Sequence, residues 1–190
     1  MSIKFFQMTT HCANVFWLFG RSGAGKTTLA RRLQEAFKAK KLPVLYLDGD
    51  DFRSGLCSDL GFTSADRLEN HRRIAEMARL AADQGFNVVV STMAPEQPQR
   101  TLIKQILENR LVLVYIHASL EVCVQRDPKG LYRRAKTGSL QNLIQFPFDR
   151  PEAEDCKNRI DTENQDVDVC QNILVDLIFR PGNEAPGTAP

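Results

Sequence analysis

The sequence predicts a doubly wound α/β domain, a mostly parallel sheet with helices on both faces. Three observations predict it. Short apolar runs alternate with longer stretches of helical periodicity, the pattern of repeated strand–helix units. Several runs, above all Leu111-Val112-Leu113-Val114-Tyr115-Ile116, are almost unbroken in hydrophobicity, as strands covered on both faces must be. A glycine-rich loop, Gly20-Arg21-Ser22-Gly23-Ala24-Gly25-Lys26-Thr27, stands between the first apolar run and the first helical stripe.

The elements follow in order. Residues 14–19 (Asn-Val-Phe-Trp-Leu-Phe) have strand character, and Leu29, Leu33, Ala36 and Phe37 form the helical stripe after the loop. Residues 42–47 give a second strand, which ends at Asp48-Gly49-Asp50-Asp51; in its plainest reading that string is a polar turn with Asp as cap. A long helix lies between Ser64 and Gly85, with Ser64 or Asp66 as its cap and Ile74, Met77, Ala78 and Ala81 as its buried stripe. Residues 86–91 make a third strand, a helix runs near residues 99–108, and residues 111–116 make the fourth strand. After a short helix at Leu120–Arg126, residues 127–151 lose periodicity and gain Lys, Arg, Gly and Pro, the composition of a mobile lid. Arg159–Asp161 is a last short strand, and Val169, Ile173, Leu174, Leu177 and Ile178 stripe the final helix. The organisation expected is an N-terminal extension over 1–13, one domain over 14–180 with its lid at about 127–151, and a disordered Pro/Gly-rich tail over 181–190.

Composition narrows the function. A chain of 190 residues suggests one domain with a substantial core, and a net charge of +2 offers no electrostatic case for nucleic acid or a membrane surface. The five cysteines (Cys12, Cys57, Cys123, Cys156, Cys170) are scattered without a C-x-x-C pair, so they read as reduced and mostly buried. No run of 18 apolar residues exists, and a cytoplasmic protein is expected.

The loop fits G-x-x-x-x-G-K-[ST], and its strand–loop–helix setting is the one this phosphate-binding motif requires. Polyphosphate oxygens must meet a row of backbone N–H groups that side chains would obstruct, which is why glycine recurs. Gly20, Ser22, Gly23, Ala24, Gly25, Lys26, Thr27 and Thr28 are therefore expected to bind ATP. Lys26 supplies a point charge for the β- and γ-phosphates, and the Thr27 hydroxyl can ligate Mg²⁺. A helix starting here also aims its positive dipole end at the anion.

Three further strings point to a kinase of small molecules. Asp48-Gly49-Asp50-Asp51-Phe52-Arg53 falls at the sheet's carboxyl edge, where open α/β sheets bind ligands. A carboxylate there can orient Mg²⁺-bound water or accept a hydroxyl proton, and Arg53 can hold an anion. In Gly61-Phe62-Thr63-Ser64-Ala65-Asp66-Arg67-Leu68-Glu69-Asn70-His71-Arg72-Arg73, Arg67 and Asn70 share a helix face. Taken alone, Phe62 reads as core and His71 as surface or core. Arg126-Asp127-Pro128-Lys129-Gly130-Leu131-Tyr132 begins a basic lid that would add cationic stabilisation and exclude water.

Together these strings resemble the adenylylsulfate kinase (APS kinase) family over nearly the whole domain. The resemblance implies transfer of the γ-phosphate of ATP to the ribose 3′-hydroxyl of adenylyl sulfate (APS), giving 3′-phosphoadenylyl sulfate (PAPS) and ADP in sulfate assimilation. It implies that Lys26, Asp50 and Asp48 are catalytic, with Asp50 and Thr27 on Mg²⁺. Arg53, Arg67 and Asn70 would hold the sulfate–phosphate end of the acceptor, Phe62 would stack on its adenine, and Lys129 would reach it from the lid. Arg126 would lie near the ATP adenine, and the family suggests a homodimer.

The chain also departs from the family pattern. Where the family has I-S-P, with its serine proposed as a phosphorylated intermediate, this chain has Met93-Ala94-Pro95, which favours direct in-line transfer. Gln97 replaces an often basic position, while Arg100 matches; Asp51 replaces the usual Asn. The F-T-G-I of the lid appears as Leu143-Ile144-Gln145-Phe146, so an aromatic on the second face of the acceptor base is missing unless Phe146 or Phe148 substitutes. Two alternatives follow: a kinase of another nucleotide-linked anion, such as a cytidine diphosphate derivative, or a non-catalytic nucleotide-binding module.

Overall fold

The computed structural model describes residues 13–136 and 148–179. Residues 1–12, 137–147 and 180–190 lie outside the described residues, and with them Cys12, the expected tail and the departures at Leu143 to Phe146.

The elements run β1 (Val15–Phe19), α1 (Lys26–Ala39), β2 (Val44–Asp48), α2 (Gly49–Ser54), α3 (Ser64–Asp83), β3 (Asn87–Thr92) and α4 (Gln97–Leu107). After a 3₁₀ turn at Glu108–Arg110 come β4 (Leu111–His117), α5 (Leu120–Arg126), α6 (Leu131–Lys136), β5 (Arg159–Asp161) and α7 (Val167–Phe179). The five strands pair in the order β2-β3-β1-β4-β5, every pair parallel. The doubly wound expectation holds.

The alternation along β1 builds both layers. Val15, Trp17 and Phe19 point to one side, where they join Ile74, Ala75 and Ala78 of α3 and Ile103 and Leu107 of α4. Phe16 and Leu18 point to the other, against Leu29, Leu33 and Phe37 of α1 and Leu174 and Ile178 of α7. A strand buried on both faces has no polar side to show, which explains its unbroken apolar run. Among the described residues, no helix is long and apolar enough to cross a membrane. Cys57, Cys123, Cys156 and Cys170 are all free thiols, the first two and Cys170 buried.

Several expectations need correcting. Residues 49–54 are a short helix rather than a turn, though an aspartate is indeed the cap: Asp48 accepts from the Asp50 N–H at 3.0 Å, as a β-region aspartate before a helix does. The cap of α3 is Thr63, which exchanges hydrogen bonds with Asp66 in a capping box, so neither Ser64 nor Asp66 is itself the cap. The buried face of α3 is Ile74, Ala75, Ala78 and Ala82, at three- and fourfold spacing that leaves Met77 off the face and 37% exposed. In α7 the inward stripe is Cys170, Leu174 and Ile178, at fourfold spacing; Val169 and Ile173, one residue earlier, turn outward at 46% and 37% exposure. Part of the aperiodic lid is helical, since α6 is capped by the Asp127 carboxylate, which accepts from the Tyr132 and Arg133 N–H groups.

Candidate active site

The carboxyl ends of β1, β2, β3 and β4 converge on one rim. β1 delivers the chain to Gly20, whose position admits no side chain: an added Cβ would lie 2.2 Å from the Ile116 carbonyl oxygen on β4. The loop then turns through Gly23 and Gly25, and α1 begins at Lys26 behind Gly25 in a left-handed conformation (φ 90°), with no side chain capping it. The first-turn N–H groups are thus left for an anion. Ala24 is fully buried, and its carbonyl accepts from Thr162 Oγ1 at 2.9 Å, pinning the loop to the segment after β5. Tyr132 of α6 donates to the Ser22 carbonyl at 3.0 Å, which docks α6 on the same loop.

Two cavities open on this loop. The larger, about 610 Å³, is lined by Ser22, Gly23, Gly25, Lys26, Thr27 and Thr28 together with Arg126, Lys129 and Thr162. The smaller, about 140 Å³, is lined by Asp48, Asp50, Arg53, Phe62, Arg67 and Asn70, with His71 and Pro95 beside them. Ser22, Lys26, Thr27 and Lys129 belong to both walls. Gly20 and Ala24 shape the loop from behind and line neither cavity.

Lys26 donates to the Arg21 carbonyl at 2.7 Å. Burial, then the nearby Lys129 charge, lowers its pKa to about 8. Asp48 is fully engaged: Tyr46 donates to it at 2.5 Å, Ser91 at 3.3 Å and the Asp50 N–H at 3.0 Å. Burial alone would raise its carboxyl pKa, but these donors outweigh it, and the net value falls below the usual one. The Tyr46 hydroxyl, buried against that carboxylate, is pushed well up. Asp50 is more exposed and pairs with Lys129, which precedes α6.

Around the smaller cavity, Arg53 donates to the Gly61 carbonyl and Arg67 to the Phe62 carbonyl, the latter at 2.9 Å. Their guanidinium carbons lie 4.9 and 5.7 Å from the Phe62 ring centroid. Phe62 is no core residue: it is 65% exposed, its ring held beside the cavity by two cations. His71 proves buried, in the cavity wall. Phe148 stacks on Tyr115 at 6.1 Å with Arg21 at 4.9 Å, away from the smaller cavity's lining. Arg126 sits in the larger cavity, 3.2 Å from Thr162 Oγ1 and 3.4 Å from the Gly23 carbonyl.

Sequence reasoning missed Tyr46 and Ser91, which hold Asp48, and Thr162, Gln165, Val167 and Cys170, which wall the larger cavity. The signal for the latter was positional, since they follow the carboxyl end of an edge strand. It also missed that Arg100 is fully buried, bonded to Asp155 at 2.8 Å and to the Ala94 and Pro95 carbonyls at 2.9 Å each.

Residues 12–159 match the family model described as Adenylylsulphate kinase. The adenylyl-sulfate kinase of Acaryochloris marina is 36% identical over 182 residues, 94% of this chain and 88% of its own length. The bifunctional enzyme NodQ of Azospirillum brasilense is 38% identical over 171 residues, which span 88% of this chain and 27% of that protein. The structure of the Mycobacterium tuberculosis APS kinase CysC in complex with AMPPNP and APS superposes with a TM-score of 0.82 at 33% identity, covering 87% of this chain and 97% of that one. The chain belongs to the adenylylsulphate kinase family.

Proposed function

We propose that the chain transfers the γ-phosphoryl group of ATP to the ribose 3′-hydroxyl of adenylyl sulfate, giving PAPS and ADP by direct in-line displacement. The observation that carries this reading is the pair of cavities sharing one wall at Ser22, Lys26, Thr27 and Lys129. Donor phosphates on the loop side and an acceptor hydroxyl on the other would meet there, and phosphoryl transfer runs on alignment and charge neutralisation.

Each residue then has a task. The α1 N-terminus and Lys26 hold the phosphates, and Arg126 bounds the donor cavity that receives the base. Arg53, Arg67 and Asn70 hold the sulfate–phosphate end of the acceptor, with Phe62 against its base. Asp50 orients the attacking hydroxyl, and Lys129 closes over it from the lid. The donor set suits Mg²⁺: the Thr27 hydroxyl and the Asp48 and Asp50 carboxylates border one cavity, and hard oxygens with few protein ligands are what that ion takes beside a polyphosphate. Bound there, Mg²⁺ would neutralise phosphate charge. Ala94 is buried and has no hydroxyl, so no phosphoryl group passes through that position.

The test is an acceptor screen with labelled ATP and magnesium, in which the product with adenylyl sulfate is identified by chromatography. Labelled PAPS is expected. Labelling of a different nucleotide with none of adenylyl sulfate, or ATP binding without turnover on any acceptor, refutes the reading.

A further inference from the structure

Two buried polar atoms at adjacent positions of α3 have no hydrogen-bond partner among the described residues: Asn70 Oδ1 and His71 Nε2. Both residues line the smaller cavity, at 4% and 5% exposure. The other end of the imidazole fixes its tautomer. His71 Nδ1 lies 2.7 Å from the Arg67 carbonyl oxygen, which can only accept, so Nδ1 carries the hydrogen and Nε2 keeps its lone pair. Burial lowers the pKa of the ring to about 4, so the neutral form is present at pH 7. The nearest indole does not serve it either. The Trp17 ring centroid is 6.3 Å from that of His71, but its N–H is donated to Thr92 Oγ1 at 2.9 Å.

The chemistry of the wall is therefore mixed in a specific way. Arg53, Arg67, Lys26 and Lys129 offer only N–H donors, which suit an anion. A lone pair cannot hold a phosphate or sulfate oxygen; it needs a hydrogen from its partner. Buried acceptors left unpaired are costly, and a site built to pair them rejects ligands lacking the matching donor.

Resting on the proposed activity, we infer that His71 is a specificity-determining residue whose Nε2 accepts a hydrogen bond from an O–H or N–H group of the phosphoryl acceptor, with Asn70 Oδ1 beside it. On a nucleotide such groups are the ribose hydroxyl that is not phosphorylated and the exocyclic amine of the base. The cavity thereby reads a neutral donor as well as an anion, which simple phosphates and sulfates do not present.

The test is a binding cycle. Dissociation constants for adenylyl sulfate, its 2′-deoxy analogue and its inosine counterpart are measured by titration calorimetry on the full chain and on His71→Leu. Binding of adenylyl sulfate to His71→Leu is expected to weaken about tenfold, the worth of one buried hydrogen bond. The dissociation constant for ATP and the melting temperature should stay in place. His71→Gln, which keeps an acceptor oxygen, should recover most of the loss. The unmodified chain should lose a similar factor toward one of the two analogues, and His71→Leu should lose nothing more; which analogue does so identifies the hydroxyl or the amine. Equal losses in both proteins for both analogues overturn the inference. So does indifference of the unmodified chain to both, a measurement that stands even should His71→Leu fail to fold. Turnover is read in parallel: adenylyl sulfate that binds without being phosphorylated rejects the proposed activity while the cycle still judges His71. No binding of adenylyl sulfate rejects both.

Discussion

Replacing Arg100 by methionine should cost about 3 kcal/mol, the lower end of the range for breaking a buried ion pair. Arg100 and Asp155 are both essentially inaccessible to solvent, and the guanidinium serves four oxygens: Asp155 at 2.8 Å, the Ala94 and Pro95 carbonyls at 2.9 Å each, and Gln97 Oε1 at 2.6 Å. Methionine fills the volume but leaves the carboxylate and both carbonyls without their donor. Lys104 lies 2.5 Å from Asp155 Oδ1, though without hydrogen-bond alignment, so it softens the loss without cancelling it. For a chain of this size each kcal/mol moves the melting temperature by about 2–4 °C, so scanning calorimetry should find Arg100→Met melting about 6–12 °C lower. The same carbonyls belong to the turn after β3, whose Met93 and Pro95, with Thr92 at the end of the strand, wall the smaller cavity, where the proposed reaction seats the acceptor. The KM for the acceptor should therefore rise while that for ATP holds. Adding Asp155→Leu removes the stranded charge and should return most of the stability. A single variant within about 1 kcal/mol of the parent, or a double variant no more stable than the single, would refute the reasoning.

Lys26 has a pKa near 8 because burial disfavours its charge, so at pH 8 about half the molecules carry it neutral. Phosphates restore the charge, and calorimetry in buffers of different ionisation heat should show about half a proton taken up per ATP, absent in Lys26→Ala. Since the unfolded chain binds this proton more strongly between pH 8 and 10.5, the charged side chain is a cost to the fold below pH 8 that lifts as pH rises through that window. Lys26→Ala should accordingly abolish turnover without lowering the melting temperature at pH 7; a large drop would count against its role. Gly20→Ala must push a Cβ against the β4 backbone, and urea denaturation should register a loss of about 1–3 kcal/mol or more. Tyr132→Phe removes the hydroxyl that donates to Ser22, and a KM for ATP raised about threefold, with the melting temperature down a few degrees, is the expected result.

The phosphate loop was legible in the sequence because it is local. A phosphate loop is one contiguous string whose glycines act through backbone geometry and whose lysine and threonine act through their side chains, and its flanking strand and helix carry clear apolar patterns. The smaller cavity draws on residues from Ser22 to Leu131, and solvent exposure in its wall and behind it runs against composition. Phe62 is apolar and stands in solvent beside two guanidinium groups, whereas His71 and Arg100 are polar and buried. Periodicity places neither, because it measures which side chains prefer the core and not which polar ones have found partners in it. Arg100 and Asp155 are 55 residues apart, and neither spacing nor residue type announces the pair. The short helix α2 escaped for a different reason. At six residues it is too brief for a periodic signal, and it exists because Asp48 caps it.

The two aspartates at the end of β2 show how this rim divides labour within a single string. Asp48 accepts from Tyr46, Ser91 and the Asp50 N–H, and these bonds hold it ionised and fixed while it caps α2. Its orientation is set by the sheet itself, since Tyr46 is on β2 and Ser91 lies opposite Asp48 on β3. Asp50, the second residue of α2, has a different partner: Lys129, 79 residues away just before α6. Both members of that pair are substantially exposed, and such pairs are worth only about 0–1 kcal/mol. The lid lysine can thus leave Asp50 for a phosphate at little cost, freeing the carboxylate beside the incoming hydroxyl. Under the proposed reaction the fixed aspartate anchors the rim, and the loosely paired one meets the substrate. Release of Asp50 is then coupled to the arrival of the anion that draws Lys129 away.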